Sequence, residues 1–349
     1  MMSSNESPTT APTENGVPVI YVKPQANRST PLFIILSMMI GFLLPICSCG
    51  FFFIMFTSSF SQLINEEPTS INDGSPAIAI VDVTGIILSG DEDDFSADAL
   101  SGVVINDLRT AAADDTVKAI VLRIDSPGGS VTGSAQIYEA LLEIDKPIVV
   151  SMAGVAASGG YYIAAPADYI YARPDTITGS IGVILTLYNA EDLAQTLGVD
   201  VINITSGPNK SMGDMWNEID SEHQAIFQAM IDESYNEFVR IIAEGRNMDE
   251  ATVREIADGR IYTGLQAMDV NLVDAVGNRQ DAINKAADLG GITGEPRIVE
   301  YEHLPSFSDF LTGITYQLNQ SESDQILQTV QTFMTPRLEY RYAGPGSTP

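Results

Sequence analysis

Apolar and polar positions divide this chain into regimes with different periods. Residues 1–30 are rich in Ser, Thr, Pro and Asn with no apolar repeat, which predicts a disordered tail. From Pro31 to Phe56 the chain is almost wholly apolar and carries no charge. At about 1.5 Å per residue that run is long enough to cross a bilayer as one transmembrane helix. Residues 57–75 read as a polar linker. After it, β-branched runs that do not alternate recur between stretches of helical period. Strands are expected at Ala77–Val83, 119–124, 148–152, 169–172 and 199–204, and helices over 97–114, 132–145, 249–257 and 279–289. A further helix starts at Ser221, where Gln224 three residues on suggests a capping box, and Gly245 ends it. Strand-helix-strand units with continuously apolar strands predict an α/β fold, a parallel sheet flanked by helices, over residues 76–300. Residues 301–349 form a weakly patterned extension whose closing aromatics suit contact with a neighbouring subunit.

Two of the turns between these elements concentrate small residues. Asp125-Ser126-Pro127-Gly128-Gly129-Ser130 follows the strand at 119–124, and Ala156-Ala157-Ser158-Gly159-Gly160-Tyr161-Tyr162 follows the strand at 148–152. A serine at a strand-to-helix turn presents its hydroxyl where free backbone N–H groups favour a developing oxyanion. Small neighbours let a substrate carbonyl approach that backbone. Ser158 is therefore the candidate nucleophile, with Gly128, Gly129 and Gly159 as candidate oxyanion donors.

Charge and composition narrow the chemistry. A net charge of -29, from 46 acidic and 17 basic side chains, argues against nucleic-acid binding, which needs a basic face. Cys47 and Cys49 both lie in the apolar run, so neither staples a soluble domain nor serves as a thiolate. Two histidines, His223 and His303, are too few for a multi-histidine metal site. Neither a metal nor a cofactor is expected. Lys23 and Arg28 precede the apolar run, whereas Glu66, Glu67 and Asp73 follow it. That asymmetry places the N-terminus in the cytoplasm and the folded domain on the outer, periplasmic side of the cell membrane.

A serine hydroxyl needs a base. His223 falls in the first turn of a helix beside Phe227 and Met230, and His303 in the unpatterned extension. Of the five lysines, Lys23 precedes the membrane run, Lys118 and Lys146 sit at strand starts, and Lys285 is on the last helix. Lys210 remains, in a Gly/Pro loop after the expected strand 199–204 and so at the sheet edge that carries Ser158. A lysine base must fall from about 10.4 to roughly 7–8, which burial away from carboxylates supplies. Between Asp200 and Asp214 the chain holds no acid. Ser180, in Thr178-Gly179-Ser180-Ile181-Gly182, is the candidate to orient the amine.

Taken in order, these motifs, together with Ser206-Gly207-Pro208-Asn209-Lys210 and Asp258-Gly259-Arg260-Ile261-Tyr262, resemble the signal peptide peptidase A family, membrane-bound serine proteases of peptidase family S49. The resemblance covers roughly residues 76–290 and implies a ClpP/crotonase-like fold in its short, single-domain form. It implies Ser158 as nucleophile, Lys210 as general base of a Ser-Lys dyad, Ser180 as the serine bonded to that lysine, and the Ser-Pro-Gly-Gly turn as the oxyanion segment. It also implies peptide substrates, cleaved signal peptides among them, hydrolysed without a cofactor by a ring-shaped homo-oligomer at the membrane. Two other readings stay open: a crotonase-type acyl-CoA enzyme, which uses the same paired glycine turns, and a non-catalytic membrane scaffold.

Overall fold

The computed structural model describes residues 74–90, 99–301 and 338–342. The expected tail, transmembrane run and linker lie outside those residues. Among the described residues no helix is long and apolar enough to cross a membrane.

In chain order the strands are β1 (Ala77–Thr84), β2 (Ile87–Leu88), β3 (Ala99–Leu100), β4 (Val117–Ser126), β5 (Gly128–Ser130), β6 (Ile148–Ala157) and β7 (Tyr169–Ala172). They continue with β8 (Ile177–Gly179), β9 (Ile184–Leu185), β10 (Ile261–Thr263), β11 (Ala275–Val276), β12 (Arg297–Glu300) and β13 (Leu338–Arg341). The helices are α1 (Ser101–Ala113), α2 (Val131–Leu142), α3 (Gly159–Ala164), α4 (Glu191–Leu197), α5 (Ser221–Gly245), α6 (Glu250–Ile256), α7 (Gly264–Asp269) and α8 (Arg279–Leu289).

The main sheet runs β10-β8-β6-β4-β1-β12, with β7 beside β6 and β11 beside β7. Every pairing in it is parallel except β10 with β8. β6 pairs with β7 along Val149–Met152 and with β8 along Val155–Ala157, so it changes neighbour half-way.

Helices cover both faces. Ile78, Ile80, Ala119, Val121 and Val149 meet Ala282, Ile283, Ala286 and Ala287 of α8. Their alternates, Ala79, Val81, Ile120, Leu122 and Val150, join Val104 and Leu108 of α1 and Ile137 and Leu141 of α2. Two covered faces explain why β1 and β4 read as unbroken apolar runs. Caps fix where helices begin: the Ser130 hydroxyl accepts from the Gly133 N–H at 2.9 Å to open α2, and Asn278 with Asp281 forms a capping box on α8.

Three expectations change. Residues 199–204 form no strand; the segment has no pairing partner, and Ile202 and Ile204 stand 81% and 97% exposed. Its alternating apolar residues face solvent, so period alone placed it wrongly in the sheet. The cap of α5 is Asp220, whose carboxylate accepts from the His223 N–H at 2.8 Å, and Ser221 is already helical. Finally, part of the C-terminal extension packs on its own chain. β13 pairs antiparallel with both β5 and β9, in a second sheet of order β3-β2-β5-β13-β9.

Candidate active site

Ser158 lies between the last residue of β6 and the first of α3, with φ 54° and ψ -115°. A side chain in that region of backbone space is strained, and the surroundings hold it there. The Ser158 N–H donates to the Gly179 carbonyl at 2.8 Å, and its own carbonyl accepts from Tyr161 and Tyr162 at 2.9 and 2.8 Å. Below the turn the Tyr161 hydroxyl donates to the Leu272 carbonyl at 2.7 Å, and burial pushes its pKa well up, so it stays a neutral donor. Ser158 itself is 1% exposed.

The Ser-Pro-Gly-Gly turn arrives from β4. Asp125 ties it down by accepting from the Val155 N–H of β6 at 3.1 Å. The pairing of β4 with β6 shifts register between Ile124 and Ser126, which swings the chain into β5. Gly128 has φ +93°, and a β-carbon there would collide with the Tyr340 carbonyl and lie 2.5 Å from the Gly159 nitrogen. At Gly159 a β-carbon would lie 2.5 Å from the Ser134 hydroxyl, 3.1 Å from the Tyr340 carbonyl oxygen and 3.2 Å from the α-carbon of Gly128. The two glycine turns thus form one narrow cradle, and what lies in it is a peptide carbonyl.

The N–H of Gly128 donates to Ser126 Oγ at 3.1 Å. Gly128 therefore shapes the wall, and its amide is spent on holding the turn. The N–H of Gly159, first in α3, makes no hydrogen bond among the described residues, as expected of a helix opening. Gly129 pairs with Tyr340 of β13.

Ser180 shares the unusual backbone, with φ 49°, is 8% exposed, and donates its N–H to the Arg260 carbonyl at 2.8 Å. β10 and the Asp258-Gly259-Arg260 turn thus clamp the Ser180 turn next to the elbow. Lys210 lies on a single 3-10 turn, Pro208–Ser211, and is exposed. Among the described residues its amine has no hydrogen bond or ion pair, so nothing joins it to Ser158 or Ser180 within one chain. The other described lysines are engaged elsewhere. Lys118 and Lys146 donate to carbonyls at the opposite sheet edge, and Lys285 lies over the Tyr169 ring at 4.6 Å. The nearest acid in sequence, Asp214, is occupied by Asn203, Asn217 and the Trp216 N–H.

Reading the sequence missed β13 and the pocket it fills. Tyr340 is 1% exposed; its ring stacks on Tyr162 with centroids 4.9 Å apart and meets Phe238 at 4.8 Å. Beyond it, the Tyr342 N–H donates to the Pro127 carbonyl at 2.8 Å. The available signal was Leu338-Glu339-Tyr340-Arg341, a short run whose alternation is too brief to distinguish a strand from a tail.

The stretches of chain that carry this elbow are matched by models of known families. The model of Peptidase family S49 matches residues 140–293, and that of Clp protease matches residues 79–177. A putative protease of Synechocystis is 42% identical over 65% of this chain and 78% of its own length. A putative signal peptide peptidase SppA of Enterococcus faecium is 33% identical over 81% of this chain and 86% of its own. The chain belongs to peptidase family S49. Protease 4 of Haemophilus influenzae, of which the chain spans 34%, is 38% identical over 61% of this chain. Membership of S49, with relatives named signal peptide peptidase SppA and protease 4, makes this chain a serine protease and weighs against the acyl-CoA and scaffold readings.

Proposed function

We propose that this S49 peptidase is a membrane-anchored endopeptidase that cuts extended peptides, residual signal peptides among them, through an acyl-enzyme formed on Ser158. Support comes first from β13: an extended strand already lies antiparallel on β5 and β9, with one carbonyl in the cradle beside Ser158. A substrate that takes the place of β13 there gains main-chain hydrogen bonds regardless of its side chains.

The chemistry follows from the groups around that carbonyl. Lys210, neutral, takes the Ser158 proton as Oγ attacks. The N–H of Gly159 holds the oxyanion in the cradle that the Gly128-Gly129 turn walls, and Ser180 orients the amine. Lysinium then protonates the departing amine, and a water activated by the same lysine releases the acid and restores Ser158. Lysine can do this only in a dry setting. In a single chain Lys210 is exposed, on an arm that also exposes Leu197, Val199, Val201, Ile202 and Ile204. A ring of subunits that covers this apolar arm supplies the missing desolvation. The charge pattern around Pro31 to Phe56 supports the periplasmic placement.

Hydrolysis of a quenched peptide by Ser158→Ala and Lys210→Ala chains, with fluorophosphonate labelling of Ser158 in the parent, is the test. Loss of hydrolysis in both with intact folds is expected; full activity in either rejects the dyad.

A further inference from the structure

We infer that an arginine-lined cavity on the α8 face of the main sheet binds a small organic phosphate monoester. The inference goes beyond the proteolytic reading and does not rest on it.

Val121 of β4 and Val149 of β6 pack against α8. Two residues further along each strand, alternation puts Arg123 and Ser151 on that same face, as register partners. A cavity of about 620 Å³ opens there, at the N-terminal end of α8, a size usual for an organic ligand. Arg123, Arg173 and Arg279 all line it, with Glu300 as the one acid of the lining. They come from β4, from the turn after β7 and from the start of α8. In a chain with 46 acidic and only 17 basic side chains, that convergence runs against the overall charge.

Each arginine has a carboxylate neighbour. Asp82 accepts from Arg123 Nη1 at 3.0 Å, Asp175 from Nε and Nη2 of Arg173 at 3.1 Å each, and Glu300 from Arg279. All three pairs are open to solvent, and such pairs hold by at most about 1 kcal/mol, so a better-placed anion exchanges for them at little cost. Arg123 spends a single donor on Asp82 and keeps the rest of its fork.

Ser151 points to a ligand independently. It lines the cavity at 4% exposure, and among the described residues its hydroxyl has no hydrogen bond. A buried hydroxyl without a partner costs about 1–3 kcal/mol, and an anionic oxygen held between Ser151 and Arg123 would accept from both. The helix end itself is not the attraction, because the N–H groups of Gln280 and Asp281 already donate to the Asn278 side chain.

The donor set suits phosphate better than carboxylate. One guanidinium fork saturates a carboxylate, whereas a phosphate monoester brings about two negative charges and three acceptor oxygens to forks arriving from several sides. Its organic part has an apolar wall to meet, Ile283 and Ile298. Ser151 stands seven positions before Ser158 on β6, roughly 20 Å of extended chain, so the cavity is separate from the peptide groove.

The test is isothermal titration of the full chain in detergent with phenyl phosphate, inorganic phosphate and benzoate. It is repeated on Arg123→Gln, Arg173→Gln and Ser151→Ala chains, with Arg109→Gln, an exposed arginine of another surface, as the control. Expected is saturable binding of phenyl phosphate, with inorganic phosphate and benzoate each about tenfold weaker. Losing one charged hydrogen bond should weaken phenyl phosphate about tenfold in either cavity arginine variant, and losing the hydroxyl about threefold, while Arg109→Gln matches the parent. Melting curves identify the folded variants, and the exposed Arg173 keeps the test open if Arg123→Gln does not fold. No saturable binding, or affinity unchanged in the folded cavity variants, overturns the site. Benzoate binding as tightly as phenyl phosphate overturns the choice of phosphate, and inorganic phosphate doing so overturns the ester.

Discussion

At Ser158 the backbone adopts a conformation that only glycine takes freely, and the hydrogen bonds of its N–H and carbonyl hold it there. Such strain costs on the order of 1–3 kcal/mol. Ser158→Gly should therefore abolish hydrolysis yet raise unfolding stability by about 1 kcal/mol, as read by denaturant midpoint, because the new residue relaxes the turn. Ser158→Ala removes the same chemistry without that gain. Gly159→Ala should cost both properties, since its methyl meets the Ser134 hydroxyl and the backbone of Gly128. Hydrolysis and melting temperature measured together separate these cases. The residues at the cradle were legible because small side chains at a strand end have few other uses. That the Gly128 amide is spent on Ser126 was not legible, since a sequence does not show where an N–H points.

Among the elements, those with two-sided burial were readable and those whose state depends on distant strand partners were not. β1, β4, β6 and α8 follow from apolar runs and caps that lie within a few residues of one another. Residues 199–204 carry an equally apolar run, but a strand needs a neighbour, and none is supplied. β13 has the opposite history: its sequence is unremarkable, and partners some 150 and 210 positions earlier, at β9 and β5, make it a strand. Local chemistry at an element end can be tested too. Asp114, between α1 and β4, accepts from the Thr116 hydroxyl and N–H at 2.7 and 2.8 Å, which lowers its pKa. Its stabilisation is complete above the unfolded carboxylate value of about 3.9 and disappears as pH falls through the lower folded value. Asp114→Asn should cost at most about 1 kcal/mol at pH 7, solvent screening considered, and match the parent near the acid end of a stability–pH series.

For the whole molecule, the sheet and its two helical layers form a complete core, whereas among the described residues the arm carrying Lys210 leaves its apolar side chains exposed, and the proposed ring would cover them. Ile202→Asp with Ile204→Asp should leave the melting of the α/β body within about 0.5 kcal/mol, because both side chains already face solvent. Assembly, followed by sedimentation, and peptide hydrolysis should fall together. An assembled, fully active double variant would show that the arm is not the contact that dries the lysine.

The change of neighbour along β6 has a consequence for motion. Its lower half is bonded continuously to β4 on one side and to the four residues of β7 on the other, whereas Val155–Ala157 keep one pairing with β4, Ala156 with Ser126, and otherwise face the three residues of β8, itself held on its far side by the three residues of β10. The branch bearing the nucleophile is thus the thinner limb of a forked ribbon, hinged near Ala153 and Gly154. Amide protons along Val155–Ala157 should trade with deuterated solvent sooner than those along Val149–Met152, and a peptide clasped in the groove should slow the upper set alone.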